Sequence, residues 1–115
     1  MSLDIGIDTV GPWSVVNLRG RIDAVSANEF DRALRELIGS GGQRVLFNCA
    51  ELRYVSSVGI GIFVECAKLA SASGGYLSFA AMNPHVSSLF QMVGFVGLFQ
   101  VYPSVEEALK EALDR

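Results

Sequence analysis

The stretch that decides the fold is Asn48-Cys-Ala-Glu-Leu-Arg-Tyr-Val-Ser-Ser-Val-Gly-Ile-Gly-Ile-Phe63, in which a strand gives way to a helix. Arg44–Cys49, which overlaps its start, is a short apolar run typical of a buried strand, and we expect a loop after it. Ser56 and Ser57 then stand at the start of a long apolar helix that is expected to run to about Ser71.

The two serines admit two interpretations. Either Ser56 or Ser57 caps the helix, because serine is a favoured N-cap residue. Alternatively, a serine is displayed there for phosphorylation. The positive end of the helix would tolerate the phosphate, which would still add nearly two negative charges to a docking surface.

Two glycines, Gly59 and Gly61, lie in the first turns of the same helix. Glycine in a helix costs ~1 kcal/mol relative to alanine, so a compensating reason is expected. Close approach of another chain or element over the first turn would supply one. We predict that both glycines are required for partner docking more than for folding.

Outward from this stretch, strand and helix patterns alternate. Leu3, Ile5 and Ile7 alternate with polar or small residues, and the turn at Gly11-Pro12 joins them to Trp13–Leu18 as a hairpin. The remaining elements are a capping-box helix from Ser26 and Glu29 to Ile38 that Gly39 and Gly41-Gly42 end, a strand at Tyr76–Ala81, a helix from Asn83-Pro84 to Gly94, a short strand at Leu98–Val101, and a terminal helix after the capping box Ser104–Glu107.

The resulting order is β-β-α-β-α-β-α-β-α, which predicts an α/β fold. We expect a mixed, mostly parallel sheet with helices mainly on one face, and a single domain over residues 1–115. Binding sites in such folds lie beyond the carboxyl ends of the strands. Three segments should therefore meet there: Arg21–Ser26, Arg53–Gly59 and Met82–His85.

Composition narrows the class of protein. Half of the 115 residues are hydrophobic and 18% are charged, which excludes a disordered chain. The net charge of -3 argues against nucleic acid or an anionic membrane surface as partner. Cys49 and Cys66 are too few for a disulfide framework, so we expect buried free thiols and a cytoplasmic protein. No signal peptide is visible, and the apolar runs are too short for membrane insertion.

The sequence gives little support for an enzymatic or a metal-binding function. A hydrolase elbow requires Gly-x-Ser-x-Gly, but Val55 precedes Ser57 by two residues, and the single acid between Ser57 and the single histidine, His85, is Glu65. A dinucleotide fingerprint lacks its third glycine, because Val64 occupies that place. One histidine and two separated cysteines do not make a metal site. We expect no catalysis and no cofactor.

Tyr54-Val-Ser-Ser-Val-Gly-Ile-Gly61 resembles the signature of the STAS family, the bacterial anti-sigma factor antagonists, which runs Asp-Ser-Ser-Gly-Leu-Gly after a hydrophobic residue. Gly20-Arg-Ile-Asp23, followed by Ser26, resembles the family's Gly-Glu-Leu-Asp segment ahead of its first helix. Asn83-Pro84 to Gly94-Phe95, then Leu98-Phe99, resembles its late helix and last strand. The resemblance covers nearly the whole chain and agrees with the predicted order.

The resemblance implies a function in a protein–protein switch. Ser57 matches the serine that is phosphorylated in the family, Ser56 stands where the family often has Asp, and Val58 where it has a second Ser. Asp23 matches a residue of the partner-facing loop. The implied partners are an anti-sigma factor that is also a serine kinase, bound by the unphosphorylated form, and a phosphatase that reverses the modification.

The expected docking surface consists of Asp23, Ser56, Ser57, Gly59 and Gly61, on a monomer or weak dimer. A second interpretation comes from the very apolar Leu89–Phe99 stretch, which is either core or a partly exposed patch for a partner. In the second case the chain is similar to STAS adaptor subunits of lipid-trafficking transporter complexes.

Overall fold

The computed structural model describes residues 3–39, 44–92 and 100–113, and in these ranges the elements follow one another in the predicted order. The strands are β1 (Leu3–Val10), β2 (Trp13–Ile22), β3 (Arg44–Val55), β4 (Tyr76–Ala80) and β5 (Gln100–Tyr102). The helices are α1 (Ala27–Ile38), α2 (Ser57–Ala72), α3 (Pro84–Met92) and α4 (Val105–Leu113).

The five strands form one sheet in the order β1-β2-β3-β4-β5. The hairpin partners β1 and β2 are antiparallel, and every other neighbouring pair is parallel. Each parallel connection contains a helix, as a crossover between parallel strands requires. The prediction of a mixed, mostly parallel sheet is confirmed.

The two faces of the sheet are covered unequally, because successive strand side chains point to opposite faces. One face packs against α1, α2 and α3 around Phe63, whose ring centroid lies 4.9 Å from that of Phe30 and 5.1 Å from that of Phe47. The other face carries a smaller cluster, with Trp13 and Ala108, beneath α4. Three of the four described helices therefore share a face, as predicted.

The strand β3 extends further than the sequence predicts. Residues after Cys49 were expected to form a loop, but β3 continues to Val55 because β2 also continues past Leu18 and pairs with it. The paired strands include register shifts, and Gly20 has φ +108°, a conformation that glycine adopts readily. These irregularities break the two-residue periodicity, which explains why this part resembles a loop in sequence.

The predicted helix signals mostly coincide with observed ends. Asn83 caps α3, since its Oδ1 accepts the Val86 N–H at 2.8 Å, and Ser104 Oγ accepts the Glu107 N–H at 3.2 Å at the start of α4. Gly39 ends α1. The predicted Gly41-Gly42 break, Gly94 helix end and first residues of the Leu98–Val101 strand lie outside the described residues.

None of the helices in the described ranges combines the length and the apolar character that crossing a bilayer requires. The longest, α2, has 16 residues, whereas a transmembrane helix needs about 20.

Candidate functional site

The loops that follow β2, β3 and β4 meet at the carboxyl edge of the sheet, as the sequence predicts. The Ser56 N–H donates to the Ile22 carbonyl at 2.7 Å, which ties the start of α2 to the end of β2. The Asn83 amide donates to the Leu52 carbonyl at 3.0 Å, which ties the start of α3 to β3. Two hydrogen bonds thus join three segments that are far apart in sequence.

The two serines at the start of α2 have different surroundings. Ser56 is the N-cap residue, with extended backbone (φ -75°, ψ 167°), and its Oγ accepts the Gly59 N–H at 3.1 Å. Ser57 is the first residue of the helix and is exposed. Its hydroxyl forms no hydrogen bond with any residue that the structure describes. Ser56 therefore has a structural role, and Ser57 is accessible to another molecule.

Asp23 organises the loop between β2 and α1. Its carboxylate accepts the backbone N–H groups of Val25 at 3.0 Å and Ser26 at 3.1 Å, which is a local turn of the kind that Asp favours. The Ser26 N–H lowers the pKa of this carboxyl below its ordinary value. Partial burial opposes that shift, and the charge of Arg21 adds to it. Asp23 is therefore an ionised carboxylate at neutral pH.

The predicted capping box at Ser26 is wrong. Ser26 has helical backbone angles, and its side chain makes no capping hydrogen bond to α1. Its buried hydroxyl instead donates to the Arg21 carbonyl at 2.9 Å and accepts the Asp23 N–H at 3.0 Å. The serine side chain is thus used inside the loop, where it holds both ends of the Asp23 turn.

Reasoning from the sequence missed a row of three side chains at this edge of the sheet. The Arg21 guanidinium lies 4.5 Å from the centroid of the Tyr54 ring, and the His85 ring stacks on Tyr54 at 6.2 Å. Cation–π contacts of this kind stabilise the position of an arginine by about 0.5–1 kcal/mol at exposed sites. The pairing of Arg21 with Tyr54 across β2 and β3 depends on the register shift, so only the observed register places them together.

The two glycines of α2 lie on different sides of the helix. A Cβ on Gly59 would come within 2.7 Å of Ile22 Cγ2 and 2.9 Å of Val55 Cγ1, whereas a Cβ on Gly61 would meet no atom within 4 Å. Gly59 is buried and Gly61 is exposed. Gly59 therefore has a role in packing, because its missing side chain lets α2 approach the ends of β2 and β3, and its role in docking stays a prediction.

Cys49, Cys66 and Glu65, the other reactive groups considered in the sequence, have structural surroundings. Cys49 and Cys66 are buried, as predicted, and burial raises the pKa of Cys49 to about 12 and that of Cys66 to about 11. Glu65, the acid considered for a triad, accepts a hydrogen bond from Arg35 of α1 at 2.8 Å. The part of the chain that the structure describes contains no group of three or more potential metal ligands among its His, Cys, Asp and Glu residues.

Comparison with known proteins identifies the family. The family model for the STAS domain matches residues 5–108, which is most of the chain, and the chain belongs to the STAS domain family. A Bordetella bronchiseptica protein, BtrV, provisionally assigned as an anti-sigma factor antagonist, is 28% identical over 98% of this chain and 100% of its own length. The resemblance to the STAS family is thereby confirmed.

Solved structures show the same fold. An anti-sigma factor antagonist from Mycobacterium paratuberculosis superposes with a TM-score of 0.87 and 21% identity, over 98% of this chain and 96% of that one. The anti-sigma factor antagonist SpoIIAA is also similar, with 19% identity in both of its forms. Its unphosphorylated form has a TM-score of 0.82 over 97% of this chain and 98% of that one. The phosphorylated form of Bacillus SpoIIAA has a TM-score of 0.75 over 95% and 99%.

Proposed function

We propose that this chain is an anti-sigma factor antagonist that binds an anti-sigma factor serine kinase in its unphosphorylated form. Binding frees the sigma factor from the kinase. Phosphorylation of Ser57 ends the complex, and a phosphatase restores the binding form. The protein acts in the cytoplasm and catalyses no reaction itself. Its docking surface contains Asp23, Ser57 and Gly61, with Ser56 and Gly59 holding the first turn of α2 in place.

The observation that carries the proposal is the difference between the surroundings of the two serines. The Ser56 hydroxyl is occupied by the Gly59 N–H, whereas Ser57 is exposed and its hydroxyl has no hydrogen-bond partner among the described residues. A kinase needs a hydroxyl that it can reach and deprotonate. Ser57 offers one at the edge of the sheet where binding sites in this type of fold lie.

The departure from the family signature at Ser56 is compatible with this role. The position is the N-cap of α2, and aspartate and serine are both among the best N-cap residues. Serine therefore keeps the geometry of the first turn while it removes one negative charge. With Val58 in place of the second serine of the signature, Ser57 is the exposed serine at the start of α2.

In the proposed modification the Ser57 Oγ attacks the γ-phosphorus of ATP bound to the kinase. The bond from that phosphorus to the bridging oxygen breaks, ADP leaves, and the hydroxyl proton passes to a base of the kinase. The phosphate then lies at the N-terminus of α2, where the helix dipole favours negative charge. The free protein should therefore tolerate the modification, and the effect should fall on the complex.

The test is phosphorylation by the purified serine-kinase anti-sigma factors of the source genome with Mg-ATP, read by intact mass and fragment spectra. We expect one phosphate on the wild type and on Ser56→Ala, and none on Ser57→Ala. Ser56→Ala is the matched control because it removes the neighbouring hydroxyl and retains Ser57. Stoichiometric phosphate on Ser57→Ala would refute the assignment.

A second candidate is an adaptor subunit of a lipid-trafficking transporter complex. The observation that favours it is the exposure of an apolar side chain. Met92, the last residue of α3, is 82% exposed and belongs to the apolar Leu89–Phe99 stretch. Residues 93–99 of that stretch lie outside the described ranges. Affinity purification separates the two candidates: co-purification of a transporter ATPase, with Ser57 unmodified by every kinase tested, would favour the adaptor.

A further inference from the structure

The first strand, β1, forms one edge of the sheet and presents a long row of backbone groups there. In the ranges that the structure describes it pairs with β2 alone, through consecutive residue pairs from Leu3–Gly20 to Val10–Trp13. The strand at the opposite edge, β5, has only three residues. Edge strands are commonly protected from further pairing by shortness, bulges, lysine or proline. The 8 residues of β1 pair without a bulge, and they include neither lysine nor proline.

Apolar side chains accompany this free edge. Ile7 is 52% exposed and Ile5 is half-buried, and both line a shallow crevice between β1 and α1. Ala33 and Leu37 of α1 line the same crevice. They are half-buried and four residues apart, so they share one side of the helix. These four residues form an apolar strip, which a further strand and helix on the same face of the sheet would cover.

We propose that the occupant of this edge is a second copy of the chain, whose β1 pairs antiparallel with the first about a twofold axis at Ile7. A second copy fits because it carries the same apolar strip, as an isologous contact requires. An axis perpendicular to the sheet joins the two sheets into one and leaves both α1 helices on the same face. The two Ile7 side chains then meet at the axis. This inference goes beyond the proposed function and does not rest on it.

The two aspartates of β1 distinguish the possible registers. They lie on the face opposite to the two isoleucines, because side chains alternate along a strand. An axis at Gly6 would set Asp4 of each copy against Asp8 of the other, and like charges directly opposite are destabilising. An axis at Ile7 sets Asp8 against Gly6 instead. An axis at Ile5 would also keep the aspartates apart, but it would pair fewer residues of β1 and would move the exposed Ile7 away from the axis.

The surroundings of Asp8 and Gly6 allow this pairing. The Asp8 carboxylate accepts a hydrogen bond from the Asn17 amide of β2 at 2.9 Å, so it is directed away from the free edge. A Cβ on Gly6 would meet Asn17 Cβ at 4.0 Å, which is ordinary contact. Position 6 can therefore accept a side chain in the single chain, and a charge placed there reports the register in the dimer.

The experiment is analytical ultracentrifugation of the purified chain from about 10 µM to about 1 mM, a range that brackets weak self-association. Ile7→Lys introduces the lysine that protected edges carry. Val101→Lys on β5 is the matched control, because Val101 is 55% exposed and also lies on an edge strand. Gly6→Lys and Gly6→Asp retain Ile7 and test the pairing independently. Thermal melts establish that each variant is folded.

The wild type should approach twice the mass of one chain as its concentration rises. Ile7→Lys should raise the dissociation constant of the dimer by about tenfold or more, and Val101→Lys should leave it within about twofold. Gly6→Lys, which faces Asp8 of the other copy, should lower it by about threefold, and Gly6→Asp should raise it by a similar factor.

Two results would overturn the inference: a wild type that stays monomeric at the highest concentration, or a dimer that Ile7→Lys and Gly6→Asp both leave intact. Equal effects of the two Gly6 variants would overturn the register at Ile7.

Discussion

The two sides of the first turn of α2 have the same kinds of residue and opposite surroundings. On the inner side, Ser56 accepts a backbone hydrogen bond and Gly59 lies against Ile22 and Val55. On the outer side, Ser57 and Gly61 are exposed. A serine and a glycine thus occur once as parts of the scaffold and once as parts of an accessible surface.

The difference teaches that two residues of the same type, one or two positions apart, can serve different purposes. One supports the fold, and the other belongs to an accessible surface. Because a helix advances by about 100° per residue, neighbouring positions face different directions. The inner pair fixes where the turn lies relative to the sheet. The outer pair is then free to meet a partner, and the substitutions considered there should not lower the stability of the free protein. The comparison predicts four separable outcomes.

The largest effect is expected from a charge on the outer side. Ser57→Asp should weaken kinase binding by 2 kcal/mol or more, about thirtyfold, because the carboxylate must lose its water at the centre of the interface. The free protein should be as stable as wild type or slightly more so, since an acid at a helix N-terminus contributes about 0.3–1 kcal/mol. Isothermal titration and urea melts measure the two quantities.

The control for this charge is Ser71→Asp. Ser71 is exposed and lies near the other end of α2, about 20 Å along the helix from Ser57. It should bind like wild type. Equal or tighter binding by Ser57→Asp would contradict a switch that works by repulsion and would leave a constitutive adaptor.

The second-largest effect is expected from a methyl group added on the inner side of the turn. Gly59→Ala should lower the free energy of unfolding by about 2 kcal/mol, because its Cβ would overlap Ile22 and Val55, which are buried and cannot move aside without disturbing the core. Urea denaturation measures the loss. A variant as stable as wild type would show that the close approach of α2 to the sheet is not tight.

Loss of the cap should be smaller. Ser56→Ala leaves the Gly59 N–H without its side-chain acceptor and should destabilise the protein by about 1 kcal/mol. Ser56→Asp keeps an acceptor at the cap and should restore most of that stability. If both variants melt alike, the hydroxyl of Ser56 does not contribute through capping.

The smallest effect on stability, and one of opposite sign, is expected at Gly61. Its Cβ would enter open space, so Gly61→Ala should stabilise the helix by up to ~1 kcal/mol. A loss of kinase affinity in the same variant would place Gly61 inside the interface. Since Gly59→Ala adds the same methyl group two residues earlier, opposite signs in the two melts would establish the difference between the sides directly.

Local and periodic signals in the sequence were sufficient for the order of the elements, the mixed sheet and the convergence of three segments at its carboxyl edge. Start signals such as Asn83-Pro84 act within one turn, so they can be recognised without tertiary information. The position of the serine pair at a strand-to-helix change is also visible in the sequence, whereas the choice of Ser57 over Ser56 followed from the resemblance to the STAS signature.

Features that depend on neighbours in space were not predictable in this way. The extension of β3 to Val55 depends on pairing with β2, and the Arg21–Tyr54 contact depends on a register shift within that pairing. The buried role of Gly59 depends on the position of Ile22, 37 residues earlier in the chain. Ser26 has the sequence spacing of a capping box, but its side chain forms hydrogen bonds within the loop before α1. This difference is visible in the structure and not in the sequence.

The two cysteines can serve as internal reporters of local unfolding in β3 and α2. Cys49 lies in β3 and Cys66 in α2, the elements on either side of the two serines, and both thiols are buried and resistant to ionisation. A thiol reagent reacts with the exposed thiolate, so labelling at neutral pH requires these elements to open. The labelling rate of each cysteine, measured before and after modification of Ser57, would report whether the added phosphate loosens or tightens the strand and helix that carry it.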